Sequence, residues 1–536
     1  MSINWKCLLP IIINLAVISP VLAATKYNSG TASTRYMVIE NNVDNELFIT
    51  PAALDPRFTG ANVWTRYSTN QVSLGYLGNS AWAAYNTYFD IWFTDSPITH
   101  PFEGIRCTSN GNACPASGYI PAEISDDNGF YHTKSGNNLY NGGYGFGSLS
   151  AAAFEHFRSK PVGGSDALEL NFCRTTTNYD YSDGTRCKDL PTGAYWYYYN
   201  VTYNKSGHLI LNSTNAVAEI WIASDGTPSI APGSSLCEVA TVPYGGDGLV
   251  CKTISYSLQE SQTLTPYLYF NMLVDKTILG FTPAAYEVMY SGDASNWSNY
   301  ATQNYYYTIL KPANQYVYVF LSNKFFKKVL NSGKDLTNKT ELFTFNFYNA
   351  TTPESGYYQF TPSNLIEIVP KEYGISIISA DGSAHPKNSG KIGDEKPIEF
   401  EYRIRTSASR QADSVTVQVT GDSTTIGKTP YCVFSSTDGK LQVPIPAYLS
   451  FSSSAGATVT HRNSCAEDAI DITDALWTQT AWEANVDNGY FFTTNVKLQF
   501  PMNDSRSHFS LTGEDWMGTV SASGEVKATA TWLGVE

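Results

Sequence analysis

The sequence predicts an all-β protein assembled from tandem β-sandwiches. Short strand-like runs rich in apolar, β-branched and aromatic residues recur along its 536 residues, at 36–40, 88–93, 168–172, 218–222, 316–320 and 342–347. Turn signals at Asp183-Gly184, Asp225-Gly226, Asp381-Gly382 and Asp438-Gly439 punctuate them. Charged residues make up only 15% of the chain, against about 25% in an ordinary soluble protein. Gly (40), Tyr (37) and Phe (26) are abundant. That composition favours strands joined by turns, and their regular spacing favours sandwiches.

Residues 1–23 read as a signal peptide. Lys6 supplies the positive charge, 8–22 the apolar run, and Val21-Leu22-Ala23 the small-residue cleavage site, so the mature chain is expected to start at Ala24. The run is short for a bilayer, and no later stretch reads as a membrane span. The formal charge is −14, from 34 Lys+Arg and 48 Asp+Glu, with no basic cluster. Nucleic acid and anionic membrane surfaces are therefore poor partners.

Cys7 leaves with the signal. Eight cysteines remain, an even number that fits an oxidising compartment. Their order suggests local pairs: Cys107 with Cys114, Cys173 with Cys187, Cys237 with Cys251 and Cys432 with Cys465. Eight cysteines allow 105 arrangements, so order alone leaves the pairing open. Two helices are expected, at 150–160 and 323–331. A strand ending at Pro370 followed by another from Tyr373 marks a boundary. The expected division is 24–212, 213–370 and 371–536, each of sandwich size.

Enzymatic motifs are weak throughout. In 421–429, Gly421 and Gly427 are separated by five residues where a phosphate loop needs four, and a strand follows instead of a helix. No Gly-x-Ser-x-Gly and no His-Glu-x-x-His occurs. Asp126-Asp127-Asn128-Gly129 lacks the spacing of a calcium loop and reads as a solvated turn. Two carboxylates could still meet across a cleft, so a secreted glycan-active enzyme is the alternative class. No cofactor and no metal is expected. Clustered aromatics point instead to binding. Trp64, Trp82, Tyr85, Trp92 and Trp196 are the candidate receptor-binding rings, since a ring stacks on the apolar face of a sugar. The competing role for each is packing within a sandwich core.

The last strand, 524–532, places Val526, Ala528, Ala530 and Trp532 on one face by its period of two. Such a strand needs neighbours on both sides or presents an open edge to another chain. The segment 24–34, by contrast, offers only Tyr27 as a large apolar residue and reads as a poor strand donor.

Several long motifs carry a family resemblance. They are Ala-Leu-Asp-Pro-Arg-Phe-Thr-Gly-Ala-Asn at 53–62, Ser-Asp-Gly-Thr-Pro at 224–228, Thr-Pro-Glu-Ser-Gly-Tyr-Tyr at 352–358, Tyr-Cys-Val-Phe-Ser-Ser at 431–436, Thr-Asp-Ala-Leu-Trp at 473–477 and Val-Ser-Ala-Ser-Gly-Glu at 520–525. Through them the chain resembles the EcpD/MatE family, the tip adhesins of the common pilus of enteric bacteria, over essentially its whole length. The resemblance implies immunoglobulin-like sandwiches, the C-terminal one an incomplete pilin-type sandwich completed by donor-strand addition. Val526, Ala528, Ala530 and Trp532 would then rim the acceptor groove. It also implies export through the periplasm to the fimbrium, a periplasmic chaperone and an outer-membrane usher, a major pilin as neighbour, and adhesion to a host-cell receptor and to biofilm partners. A purely structural pilus subunit is the second alternative.

Overall fold

The computed structural model describes residues 23–42, 47–51, 60–61, 65–68, 71–73, 81–82, 87–106, 119–134, 144–145, 147–232, 234–263, 268–349, 357–466, 468–482 and 488–534. The signal segment through residue 22, Trp64, Tyr85, Cys107 and Cys114 lie outside them. The chain divides into two compact units, one of residues 1–36, 49–205 and 354–356, the other of 37–48, 206–353 and 357–536.

In the first unit the expected strand runs form an antiparallel sheet. Strand β1 (Lys26–Asn41) begins here and pairs with β5 (Ala194–Asn212) and with the short strand Leu47–Pro51. Strands β2 (Tyr88–Thr94), β3 (Gly129–Lys134) and β4 (Ser165–Thr175) complete the order β3-β2-β4-β5. Register fixes the faces. Phe172 lies opposite Ile91, and Leu170 opposite Phe93, so Phe89, Ile91, Phe93, Leu168, Leu170 and Phe172 share one buried face. The expected first helix is present as α1 (Ala151–Ser159). Ser150 caps it by accepting the Ala153 N–H at 3.2 Å, and Ala153, Phe154 and Phe157 are buried. A disulfide joins Cys173 to Cys187.

The second unit opens with a parallel pair that the sequence pattern does not announce. Strand β6 (Val217–Ile222) runs alongside β10 (Leu365–Pro370), Val217 opposite Leu365 and Glu219 opposite Glu367. Between them lie β7 (Cys237–Val242), β8 (Gly246–Glu260) and β9 (Tyr316–Ser322), with Cys237 bonded to its register partner Cys251. Helix α2 (Asn323–Ser332) follows β9, capped by Ser322 and closed by Gly333 in the left-handed conformation, φ 61°. A second layer, Leu268–Val274 with Phe343–Asn349, buries Phe270, Met272, Phe345 and Phe347.

From residue 371 the unit continues as two facing sheets. One holds β11 (Gly374–Ser379), β12 (Ile398–Ala408), β15 (Ala447–Ser452) and β16 (Tyr490–Phe500) in the order β11-β12-β16-β15. The other holds β13 (Ser414–Gly421) between the short strand Ala469–Asp471 and β17 (Gly524–Thr531). Val415, Val417 and Val419 from the second sheet meet Ile404, Leu449, Val496 and Leu498 from the first in one core. Strand β14 (Thr429–Ser435) carries Cys432, bonded to Cys465. Among the described residues no helix is long and apolar enough to cross a membrane.

Candidate functional site

Strand β17 builds the first site. It is antiparallel to β13 in an unbroken register from Ser414 opposite Thr531 to Gly421 opposite Gly524. Among the described residues β13 is its one hydrogen-bonded neighbour. The period of two holds: Val526, Ala528, Ala530 and, just past the strand, Trp532 all pack against the core, while Glu525, Lys527, Thr529 and Thr531 are exposed. The inward set is only half-buried, as expected for a strand whose outer flank is uncovered.

Facing that flank is β11, itself an edge strand bonded to β12 alone among the described residues. The two edges meet near their Tyr373 and Trp532 ends, where the rings stand edge to face at 5.6 Å and the Trp532 indole N–H donates to Arg410 O at 3.2 Å. Towards Ile377 and Val526 the sheets part and leave a groove of about 700 Å³. Ile377, Phe400, Val419, Phe434, Phe500 and Val526 make its apolar floor and walls. Ala528, Ala530 and Trp532 lie on the same face of β17 but outside that lining.

The position of β11 is fixed from below. Glu219 on β6 is 2% exposed. It pairs with Arg405 on β12, and its other carboxylate oxygen accepts from Ser376 Oγ of β11 at 2.6 Å and from the Trp221 indole N–H at 3.0 Å. Arg405 also lies 5.8 Å over the Phe491 ring, and Trp221 packs on Phe491 at 5.1 Å. Gly374 is required here, since a Cβ would lie 2.0 Å from Pro370 O and 2.9 Å from the Trp221 ring. Beside Glu219 sits Glu367, also 2% exposed. Burial pushes its carboxyl up to about 8, although the Asn338 N–H at 3.3 Å favours the charged form.

The second site is the outer face of the β2-β4-β5 sheet. Asn171 Nδ2 donates to Thr94 Oγ1 at 2.9 Å, and Asn171 Oδ1 accepts from the Trp196 indole N–H at 2.9 Å. Glu169 accepts from Lys26 Nζ at 2.7 Å and from Thr94 Oγ1 at 3.0 Å. Burial alone would raise the Glu169 carboxyl, but the hydrogen bonds from Lys26, Asn171 and Thr94 outweigh it and hold it below the ordinary value. Lys26 Nζ also lies 4.2 Å from the Tyr198 ring centre and 5.3 Å from that of Trp196. Trp196 and Tyr198 are half-buried, so both rings keep a solvent-facing part.

Trp92 is placed differently. It is 7% exposed and packs under this face with Tyr131, Tyr179 and the Cys173–Cys187 disulfide. It supports Trp196, 5.8 Å away, and presents almost no surface of its own. Asp90 anchors the same cluster: it is fully buried, accepts from the Tyr179 hydroxyl, and takes the N–H groups of His132 at 2.9 Å and Cys187 at 2.7 Å. Burial raises its carboxyl to about 6 against those hydrogen bonds. Trp82 lies in the short strand Ala81–Trp82, which pairs with Tyr144–Gly145. The sequence singled out neither Glu169 with Lys26 nor Glu219 with Arg405. Each pair unites residues far apart in the chain, which no local spacing reveals.

Comparison with known proteins identifies the family. A family model described as the E. coli common pilus adhesin EcpD N-terminal domain matches residues 23–209. Models of the EcpD middle and C-terminal domains match 213–365 and 372–530. The chain belongs to the EcpD family of fimbria adhesins. It is 38% identical to the fimbria adhesin EcpD of Escherichia coli O157:H7, over 98% of this chain and 99% of that one. Identity and coverage are the same for the fimbria adhesin EcpD of E. coli K12. Among solved structures, the chaperone–tip adhesion subunit complex of the Csu pili of Acinetobacter baumannii aligns at 9% identity and a TM-score of 0.18, covering 55% of this chain and 99% of that chain.

Proposed function

We propose that this chain is a pilus tip adhesin anchored by donor-strand complementation. In this reading 371–536 is a sandwich one strand short, and an extended segment of another subunit fills the groove between β11 and β17. The periplasmic chaperone supplies that segment before assembly at the outer-membrane usher, and the major pilin supplies it in the fibre. Residues 24–212 and 213–370 form two sandwich modules that carry the adhesive surface to the cell exterior. The observation that carries the reading is β17: one bonded neighbour among the described residues, and a half-buried apolar face beside an apolar groove.

A tip position has its own support. A donor must have a free extended segment, and here the residues from Ala24 onward are engaged. Ala24 N–H donates to Lys188 O at 2.9 Å, Lys26 pairs with Glu169, and Asn204 Nδ2 donates to Ser33 Oγ at 3.0 Å. The segment 24–34 is thus a poor donor for a stronger reason than its composition. The receptor surface is assigned to Trp196, Tyr198, Lys26 and Glu169, a ring-and-polar arrangement suited to a host glycan. Purified chain titrated with a synthetic peptide of the major pilin's N-terminal extension tests the anchoring. Stable one-to-one binding is expected; a chain that ignores the peptide and the chaperone alike contradicts it. Hydrolysis of a polysaccharide panel would favour the glycan-active alternative.

A further inference from the structure

We infer that the acceptor groove is a two-module structure: residues ahead of 371 form one of its walls and set where an incoming strand stops. The inference rests on the donor-strand reading and adds a specificity element to it. Val217, Asn338 and Leu365 line the groove together with the β11–β12 side of the sandwich. All three precede the segment matched by the C-terminal family model, which begins at 372.

This wall is built in. Val217 and Leu365 are register partners in the parallel β6/β10 pair, so they face the groove from two bonded strands. The loop after β11 is stitched to the start of β6. Val217 N–H donates to Gly382 O at 3.0 Å and Ala384 N–H to Asn215 O at 2.9 Å. The Asn215 side chain donates to Ser383 Oγ at 2.6 Å and accepts the His385 N–H at 3.2 Å. The same loop, from Ser383 to Asn388, also lines the groove. The buried Glu219–Arg405 pair, with Ser376 on its other oxygen, then ties β6 to both β11 and β12. The wall therefore cannot swing away from the floor without breaking a buried ion pair.

An occupant must satisfy both parts. The unpaired edge of β17 calls for extended backbone, and the apolar floor for alternate apolar side chains. Val217 and Leu365 add an apolar stop on the side where β11 runs into the loop. The occupant is an extended segment of a second polypeptide whose terminal inward side chain rests on that stop. The isolated 371–536 segment would lack it.

The experiment uses the full chain and synthetic peptides of the major pilin's N-terminal extension, whole and shortened by two residues at either end. Val217 is half-buried at the groove, which makes it the site to enlarge. The variant Val217→Trp should weaken the whole peptide by about tenfold or more, and one of the shortened peptides should recover that loss. A Val526→Asp control should bind none of them. If Val217→Trp and wild type bind all peptides alike while Val526→Asp binds none, the wall is refuted and the donor strand stands. If Val526→Asp binds normally, the donor-strand reading falls as well. Because an enlarged side chain can disturb folding, Val217→Cys provides a second readout. It should form a disulfide with a cysteine placed at one end of the peptide and not at its middle; cross-linking at the middle alone, or at neither end, overturns the proposal.

Discussion

Strands β1 and β17 are similar elements with opposite fates. Strand β1 lies between two bonded neighbours, and its residues Tyr36, Met37, Val38 and Ile39 are completely buried. Strand β17 has one bonded neighbour among the described residues, and Val526, Ala528 and Ala530 on its inward face are only half-buried. The difference is one of surroundings: both are extended, and both carry apolar residues for a core. An edge left open beside an apolar groove is a binding site, whereas a strand sewn into its own sheet has nothing to donate. The contrast separates what the chain can accept from what it can give.

The strongest way to break the contrast is to spoil the open edge. Val526→Asp puts an unpaired carboxylate into the seam, costing several kcal/mol or more once a donor strand closes over it. Peptide and chaperone binding should vanish in titration while the free chain stays folded; binding at wild-type affinity would remove β17 from the account. Next in size is the support beneath β11. Arg405→Met leaves Glu219, 2% exposed, buried without its partner. Equilibrium unfolding should register a loss of about 3–5 kcal/mol, and Glu219→Gln on top of it should return much of that loss.

A smaller effect comes from Glu367, through pH. Its folded carboxyl lies at about 8, above the ordinary 4.5 of an unfolded glutamate. Between these values the folded state holds a proton the unfolded state has lost, so stability contributed by this group is full below about 4.5, falls as pH rises from there, and is lost once pH passes about 8. Glu367→Gln should flatten that part of the Tm-against-pH profile and raise Tm relative to wild type at pH 9. A wild-type slope surviving in the variant would assign it to another group. The smallest structural change is expected from Trp196→Ala on the face that β1 reaches through Lys26. Pili should assemble normally, and adherence to host cells should drop several-fold in a cell-binding assay. Unchanged adherence would move the receptor surface elsewhere.

How much of this the sequence shows follows from what periodicity can encode. The period of two in 524–532 gave the correct face for Val526, Ala528, Ala530 and Trp532, and the spacing of apolar residues in 150–160 and 323–331 marked both helices. Alternation reports which way a side chain points and says nothing about which strand lies alongside. The parallel β6/β10 pair, the length of β1 and the wall made by Val217 and Leu365 were therefore hidden. Trp92 and Trp196 illustrate the same limit. Both were equal candidates as aromatic residues in strands, yet the 173–187 disulfide loop covers one and leaves the other at the surface. Glu219 and Arg405, 186 residues apart, carry no mutual signal in a single sequence.

The most direct measurement is backbone hydrogen exchange across β17 in the full chain, with and without the major-pilin peptide. Alternate amides of Gly524–Thr531 point away from β13 and should exchange quickly in the free chain, then become strongly protected when the peptide is bound. Amides already protected without any partner, or unchanged by a saturating peptide, would mean that β17 has no vacancy beside it and that the anchoring mechanism is wrong.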